Sequence, residues 1–221
     1  MKLWYKTGDV AALRELSRSR VVCLDVETTG FDPYRDEVLQ LAFVRGDNEV
    51  LLSHFVCPEH HTSWPEAQRI HGITPLLVKD CAPLVSLKSE IEEIFEDAGL
   101  IVGYNVAFDL AFLHAAGISC GHSQRFDVMR EFAPVVGRWD AVRRRYAWVS
   151  LARCAQFYGV SFRAHDALED ARATLACFWA MLERESCVGH FVPAQSYLDV
   201  VARYARAGRR LRGEQDEWTL R

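Results

Sequence analysis

The sequence predicts an α/β domain built on a mixed β-sheet. Three strand-like runs come first, at 20–26, 37–45 and 49–56, and a Gly-Asp-Asn turn joins the last two as a β-hairpin. Helix-like and strand-like segments then alternate, which is typical of a sheet with helices packed on its faces. With 221 residues, half of them hydrophobic, the chain is long enough for one domain of ordinary size and an extension.

Capping and periodicity signals predict the remaining elements. Pro65 suits the first position of a helix, whereas Gly99 and Gly159 follow helix ends. Residues 138–149 fit neither the helical nor the strand period, so we interpret them as a loop. We expect helices at 9–18, 64–73, 83–97, 106–114, 150–160, 166–186 and 193–207, and short strands at 100–104 and 125–129.

The domain boundaries follow from the places where these signals weaken. We expect an N-terminal helix extension at 1–19, a central α/β domain at 20–187, and a C-terminal helix with a mobile tail at 188–221.

Charge and cysteine content argue against several classes of protein. The net charge of −4 gives no sign of nucleic-acid binding, so any basic surface must be local. The seven cysteines are scattered and contain no CxxC pair, which indicates the reducing cytoplasm rather than a disulfide framework or zinc knot. The chain has no run of 18 apolar residues and no apolar signal-peptide core, so we expect neither membrane spanning nor secretion.

Two carboxylates stand out in the first strand, within the stretch LDVETTGF at 24–31. Alternate residues of a strand point to the same face, so Asp25 and Glu27 lie side by side. Two like charges near the end of a buried strand repel each other and lose hydration unless a cation lies between them. We therefore predict a divalent metal site here, followed by a tight turn in which Gly30 is free to adopt a positive φ.

A third carboxylate lies in the stretch GYNVAFDLAFL at 103–113. Asn105 is a good N-cap, which places Asp109 at the fourth helical position, where the helix dipole favours an acid. Because its neighbours are mostly apolar, we expect Asp109 to lie among core residues.

A fourth carboxylate lies in the stretch HDALEDA at 165–171. The capping box of Asp166 and Glu169 makes Asp170 the fourth helical residue and places His165 at the opposite staple position. Two helix N-termini and one strand can therefore bring four carboxylates together beside a histidine. Hard oxygen ligands of this kind select Mg²⁺ or Mn²⁺ rather than zinc.

These stretches resemble the three exonuclease motifs of the DEDDh (DnaQ-like) family, D-x-E-T-T-G, G-x-N-x-x-F-D and H-D-A-x-x-D-A, in order and spacing over residues 20–185. The family includes the proofreading epsilon subunit of bacterial DNA polymerase III, RNase T and oligoribonuclease. The segment EAQRIHGIT at 66–74 is similar to the epsilon-type link between the first two motifs. The resemblance implies that 20–187 is a DEDDh exonuclease domain with an RNase H-like mixed five-stranded sheet flanked by helices.

The resemblance also implies a role for each motif residue in a two-metal reaction. Asp25 would bridge two Mg²⁺ or Mn²⁺ ions. Glu27 and Asp170 would hold the ion that activates water, and Asp109 would hold the other. His165 would act as the general base, a role that histidine commonly has near neutral pH. The implied activity is a metal-dependent 3′→5′ exonuclease that releases nucleoside 5′-monophosphates.

Contacts with the 3′-terminal nucleotide are a further implication of the resemblance. A phenylalanine beside the second motif can stack on a base of any sequence, although both candidate phenylalanines also suit a core position. His71 is equally well interpreted as a structural residue at a helix end. Arg143–Arg145 lies among aromatic residues, as on nucleic-acid-binding surfaces, although a solvated loop is the simpler interpretation. The candidate substrate-binding residues are Thr28, Thr29, Phe31, Glu66, His71 and Phe108.

The substrate and the partners stay open at this point. The epsilon-like segment favours the 3′ ends of mainly single-stranded DNA. The alternatives are an oligoribonuclease-like enzyme that acts on small RNA, or a non-catalytic nucleic-acid-binding or assembly subunit. A DNA polymerase subunit is a conceivable partner, but residues 188–221 show no clear binding motif, which favours a stand-alone enzyme. Nothing in the sequence indicates the oligomeric state.

Overall fold

A seven-stranded mixed sheet and a separate two-stranded hairpin organise the chain. The computed structural model describes residues 6–7, 10–184 and 190–192. The strands are β1 (Lys6–Thr7), β2 (Val21–Thr28), β3 (Val38–Arg45), β4 (Val50–Phe55), β5 (Leu100–Gly103), β6 (Gln124–Asp127), β7 (Trp139–Asp140), β8 (Arg145–Tyr146) and β9 (His190–Val192). The helices are α1 (Val10–Glu15), α2 (Pro65–His71), α3 (Pro75–Val78), α4 (Lys88–Asp97), α5 (Val106–Ala115), α6 (Val128–Val136), α7 (Leu151–Tyr158) and α8 (Ala167–Glu183), with 3-10 turns at Arg18–Arg20 and Leu84–Leu87.

The five strands expected from the sequence are adjacent in the large sheet, in the order β6-β5-β2-β3-β4, with β4 at one edge. Strand β2 is antiparallel to β3 and parallel to β5, and β5 is parallel to β6, so the sheet is mixed as predicted. The short strands β9 and β1 extend the sheet beyond β6.

Strand β2 is buried on both sides and sends alternate side chains into two cores. Val21 and Cys23 pack into one cluster with residues of α7 and α8, whereas Val22 packs into another with residues of α4 and α5. Helices therefore cover both faces of the sheet. Asp25 and Glu27 continue the alternation of Val21 and Cys23, so β2 presents both carboxylates on the face covered by α8.

Two expectations about the segments after β5 are wrong. The strand expected at 125–129 ends at Asp127, whose side chain accepts the Arg130 N–H at 3.3 Å and caps helix α6, which the sequence did not predict. The segment 138–149, expected to be a loop, contains the β7–β8 hairpin. Each of its strands has two residues, which is too short for a sequence period to reveal.

Other expectations concern the chain ends. The N-terminal helix expected at 9–18 is observed as the shorter α1. The helix expected at 193–207 and the tail that follows lie outside the described residues. Within the ranges that the structure describes, no helix is both long and apolar enough to cross a membrane.

Candidate active site

The end of β2 carries the first two carboxylates. In the register of the sheet, Glu27 lies opposite Gln40 of β3, and the pairing shifts between Glu27 and Thr28. Asp25 and Glu27 are only partly buried, although β2 is otherwise buried as far as Thr28. The strand therefore ends by presenting two acids side by side, just before the chain turns.

Asp109 approaches these acids from α5. It is the fourth helical residue, as predicted, and only 3% of its surface is exposed. Its Oδ1 atom accepts the Val26 N–H at 3.0 Å, so Asp109 contacts the backbone between Asp25 and Glu27.

The start of α5 is held differently from the sequence prediction. Asn105 occupies the N-cap position with a left-handed φ of 64°, and its side chain makes no capping hydrogen bond. Instead, the Asn105 N–H donates to the Asp127 carboxylate at 3.1 Å. Asp127 also pairs with Arg130 at 3.1 Å, so the end of β6 helps to orient the helix that carries Asp109.

Helix α8 delivers the fourth carboxylate. Asp166 accepts the Glu169 N–H at 3.2 Å and caps the helix, which makes Asp170 the fourth residue as predicted. Asp170 Oδ2 accepts the backbone N–H of His165 at 3.1 Å, so a hydrogen bond joins the two staple positions. His165 is exposed and has a φ of 68°.

Gln40 links the strand to this helix, and the sequence analysis missed it. It is a buried polar residue of β3 that lies opposite Glu27. Its Oε1 accepts the Ala167 N–H at 3.2 Å, and its Nε2 donates to Asp166 at 3.4 Å. Gln40 therefore fixes the start of α8 beside Glu27. The sequence signal that could have identified Gln40 is its single polar side chain in the otherwise apolar run VLQLAFV.

Three of the predicted residues form a group that suits a metal ion. Glu27, His165 and Asp170 each offer one ligand atom, and these atoms lie within 4.8 Å of one another. Carboxylate oxygen and imidazole nitrogen are both ligands that divalent cations accept. Within the described part of the chain, Asp25 and Asp109 adjoin this group but are not members of it.

The electrostatics of the site also favour a cation. Burial, followed by the charges of Asp109, Asp170 and Glu27, raises the pKa of Asp25 well above its ordinary value. Burial and the neighbouring Asp170 and Asp166 raise the pKa of Glu27 from 4.5 to about 8. Burial is also the main reason that the pKa of Asp170 rises to about 7. Crowded carboxylates of this kind are ionised more readily when a divalent cation lies among them.

The turn after β2 is built by its own hydrogen bonds. The Thr28 hydroxyl donates to the Gly30 carbonyl at 2.5 Å, and the Thr29 hydroxyl accepts the Glu37 N–H at 2.9 Å. The expectation of a positive φ at Gly30 is wrong, because Gly30 is not among the residues with that conformation. Glycine is required by close approach instead, since a Cβ atom there would lie 2.5 Å from the Asp36 carboxylate.

An aromatic group lies beside the acids. Phe31, in the turn, is 46% exposed, and its ring centroid lies 6.4 Å from that of Phe108. Phe108 precedes Asp109 and packs in turn on Phe112 at 4.9 Å. The structure therefore brings both predicted phenylalanines together at the edge of the site.

His71 connects α2 to the end of β2. Its Nδ1 accepts the Ile73 N–H at 3.0 Å, so the ring proton is on Nε2, which lies 3.3 Å from the Thr28 carbonyl. Burial, offset in part by Thr28, lowers the pKa of His71, and the charge of nearby His165 adds to that effect. Glu66 is exposed in the first turn of α2.

The fold and the site together define a class of protein. The structure is similar to that of E. coli exonuclease I in a zinc-bound complex with single-stranded DNA, with a TM-score of 0.61 and 22% sequence identity. The similarity covers 78% of this chain and 42% of the E. coli chain. The fold is therefore RNase H-like.

Sequence comparison identifies the family. Residues 22–178 match the model of the exonuclease family RNase T. The chain is 31% identical over 220 residues to a Mycobacterium tuberculosis protein (strain CDC 1551 / Oshkosh) that carries the provisional name of a bifunctional exonuclease/endonuclease. It is 33% identical over 104 residues to the DNA polymerase III subunit epsilon of Rickettsia typhi (strain ATCC VR-144 / Wilmington). The chain belongs to the DEDDh (DnaQ-like) exonuclease family, as the motifs predicted.

The matched part of this chain spans less than half the length of each of these two relatives. The similarity covers 91% of this chain but 32% of the mycobacterial protein, and 45% of this chain but 44% of the Rickettsia subunit.

Proposed function

We propose that the protein is a metal-dependent 3′→5′ exonuclease that acts mainly on single-stranded DNA and releases nucleoside 5′-monophosphates. The observation that carries this proposal is the convergence of Glu27, His165 and Asp170 beside Asp25 and Asp109. Phosphodiester hydrolysis needs an activated water, a stabilised leaving oxygen and neutralised phosphate charge. Clustered acids supported by a histidine hold the cations that meet these needs.

Two Mg²⁺ or Mn²⁺ ions suit the donor set. Glu27 and Asp170 would hold one ion, Asp109 would hold the other, and Asp25 would contact both. When bound, such ions activate water and stabilise the leaving oxygen. The raised pKa values of Glu27 and Asp170 support this assignment, since bound cations would relieve the repulsion among the acids.

His165 is the proposed general base. Its ring reaches the same group of ligand atoms as Glu27 and Asp170, and it is exposed to solvent. The imidazole would take the proton of the attacking water and then release it to bulk solvent. The hydrogen bond from the His165 backbone to Asp170 would keep the ring next to the reacting water.

The 3′-terminal nucleotide would lie against the turn after β2. Phe31 and Phe108 are placed to stack on bases, an interaction that tolerates any sequence. The hydroxyls of Thr28 and Thr29 are already bonded within the turn, so these residues would shape the contact surface. His71 and Glu66 are proposed to flank the nucleotide from α2, where His71 also holds the backbone.

The proposed DNA substrate and the proposed cytoplasmic location rest on different observations. The similar E. coli structure contains single-stranded DNA, and the Rickettsia relative is a DNA polymerase subunit, so we extend DNA as substrate to this chain. The described cysteines are all free, which supports a cytoplasmic enzyme. The catalytic domain would span 20–187 and need no polymerase partner for activity.

A degradation panel tests the proposal. The protein is incubated with 5′-labelled single-stranded DNA, duplex DNA, long RNA and dinucleotides, each with Mg²⁺, with Mn²⁺ and with EDTA. We expect shortening of single-stranded DNA from the 3′ end, release of 5′-monophosphates and no reaction in EDTA. Asp25→Asn is the matched control, since it removes one charge and little volume.

Each arm of the panel has a distinct meaning. Faster cleavage of dinucleotides or RNA than of DNA would contradict the DNA preference and favour an oligoribonuclease-like enzyme. No cleavage of any substrate with either metal, with Asp25→Asn indistinguishable from the parent protein, would favour a non-catalytic binding subunit.

A further inference from the structure

Residues 138–149, here named the arginine hairpin, form a basic surface that the proposed reaction does not use. The segment contains four arginines and one aspartate, whereas the whole chain has a net charge of −4. Its two strands pair Trp139 with Tyr146 and Asp140 with Arg145. The hairpin is therefore a local excess of positive charge on an acidic protein.

Aromatic side chains share this surface with the arginines. Trp139 is 56% exposed and Tyr146 is 38% exposed, and their rings meet edge to face at 5.2 Å. The Arg145 guanidinium lies 3.7 Å from the centroid of the Trp148 ring. Single-stranded nucleic acids bind to surfaces of this kind through phosphate contacts and base stacking.

The hairpin is tethered at the end of the sheet that carries the candidate acids. Cys23 of β2 pairs with Val102 of the parallel strand β5, and Tyr104 directly follows the end of β5, at the same edge of the sheet as Asp25. Tyr104 and Cys23 also pack into the same core, which places them on one face of the sheet. The Tyr104 hydroxyl donates to the carbonyl of Val149, the last hairpin residue, at 2.6 Å.

We propose that the arginine hairpin binds single-stranded nucleic acid upstream of the 3′ end that occupies the active site. Arg144 contacts phosphates together with Arg143, which also pairs with Asp140 at 3.1 Å, and Trp139 and Tyr146 stack on bases. The position of the bound segment rests on the proposed 3′→5′ function, whereas the binding itself does not. DNA and RNA share the phosphates and bases that this surface recognises, so the test includes both.

Binding is measured on the full chain by fluorescence anisotropy, in EDTA, with labelled DNA and RNA strands of about 20 nucleotides. The test variant is Arg143→Gln/Arg144→Gln/Arg145→Gln. The matched control is Arg20→Gln/Arg45→Gln/Arg184→Gln, with the same charge change at the other end of the sheet. We expect the test variant to raise Kd about tenfold or more. The slope of log Kd against log salt concentration should decrease by roughly 0.7 per lost phosphate contact. The control variant is expected to have nearly the same Kd and the same salt dependence as the parent protein.

Cleavage assays separate this inference from the proposed function. The loss of kcat/KM in the test variant should be large on strands of about 20 nucleotides and small on dinucleotides, because a dinucleotide has no upstream segment for the hairpin to bind. If the parent protein cleaves but the test variant binds both strands as tightly as the control does, the inference is overturned and the proposed function stands. If the parent protein binds through the hairpin yet cleaves nothing, the proposed function fails and the inference stands.

The remaining outcomes are also decisive. Absence of binding by the parent protein overturns the inference. If the test variant raises Kd more for DNA than for RNA, the hairpin prefers DNA, and the reverse result identifies RNA. Circular dichroism melting checks that the test variant is folded. Should it be unfolded, Arg144→Gln alone replaces it, since Arg144 is exposed in the turn, and a weaker Kd with a flatter salt dependence is still required.

Discussion

The acid cluster and the arginine hairpin are both concentrations of like charge, yet they are built in opposite ways. The acids come from β2, α5 and α8, far apart in the chain, and burial raises the pKa of Glu27 to about 8 and that of Asp170 to about 7. The arginines of the hairpin are close in sequence and mostly exposed, and they carry their charge in water.

The difference shows what each region is prepared to bind. Buried like charges are costly unless a counterion occupies a fixed place, so the acid cluster suits a small metal ion. Exposed like charges are screened by solvent and salt, so the hairpin suits a polyanion that slides through many positions. The predictions below test this contrast.

The largest effect is expected for His165→Ala. Loss of the general base should lower kcat roughly 10²–10⁴-fold, whereas Mg²⁺ affinity, measured by calorimetry, should change little because the acids stay in place. His122→Ala removes another exposed histidine and should have no effect. If Mg²⁺ affinity fell together with kcat, His165 would be a metal ligand rather than the general base.

Phe31→Ala tests the aromatic edge of the acid cluster. Stacking on a base contributes about 1–3 kcal/mol, so KM for single-stranded DNA should rise roughly 5- to 150-fold while kcat stays similar. Phe157→Ala is the matched control, because Phe157 is 48% exposed on α7 and packs on Phe132 away from the acids. Equal KM values for the two variants would place Phe31 outside the substrate site.

Gln40→Leu tests how the cluster is assembled. The change leaves the Ala167 N–H without its acceptor, and we expect a loss of about 1–3 kcal/mol in the free energy of unfolding together with a lower kcat. Gln40→Glu keeps an acceptor for Ala167 but repels Asp166, so its kcat should be intermediate. Thr174→Val, at a buried polar position within α8 itself, should leave kcat unchanged. A normal kcat in Gln40→Leu would show that α8 is positioned by other contacts.

The smallest effect concerns pH. Folding raises the pKa of Glu27 from 4.5 to about 8 and that of Asp170 from 3.8 to about 7, so the metal-free folded protein binds more protons than the unfolded chain in this window. Its stability should therefore fall as pH rises from about 4 to about 8, so Tm in EDTA should be lower at pH 8 than at pH 4. Added Mg²⁺ should raise the Tm most at the alkaline end of this pH range. Calorimetry in EDTA and in Mg²⁺ measures both trends, and a Tm that rises with pH in EDTA would contradict the sign.

Much of this fold was predictable because its signals are local. Alternation identified strands β2, β3 and β4, and the capping box of Asp166 and Glu169 correctly numbered Asp170 within its helix. Helix α6 and the β7–β8 hairpin were missed. Helix α6 was missed because its cap, Asp127, lies within an expected strand. The hairpin was missed because its strands are too short to show a period.

The sequence by itself determined the family and the mixed sheet and indicated the candidate site residues, because strand alternation and helix capping are set by neighbours in the chain. Only the tertiary structure decided how those residues meet. It revealed that Gln40 joins β3 to α8, that Asp127 rather than an Asn105 cap orients α5, and that Tyr104 tethers the arginine hairpin beside the acids. These contacts join residues 22 to 127 positions apart, and no local pattern encodes a hydrogen bond between partners so distant in the chain.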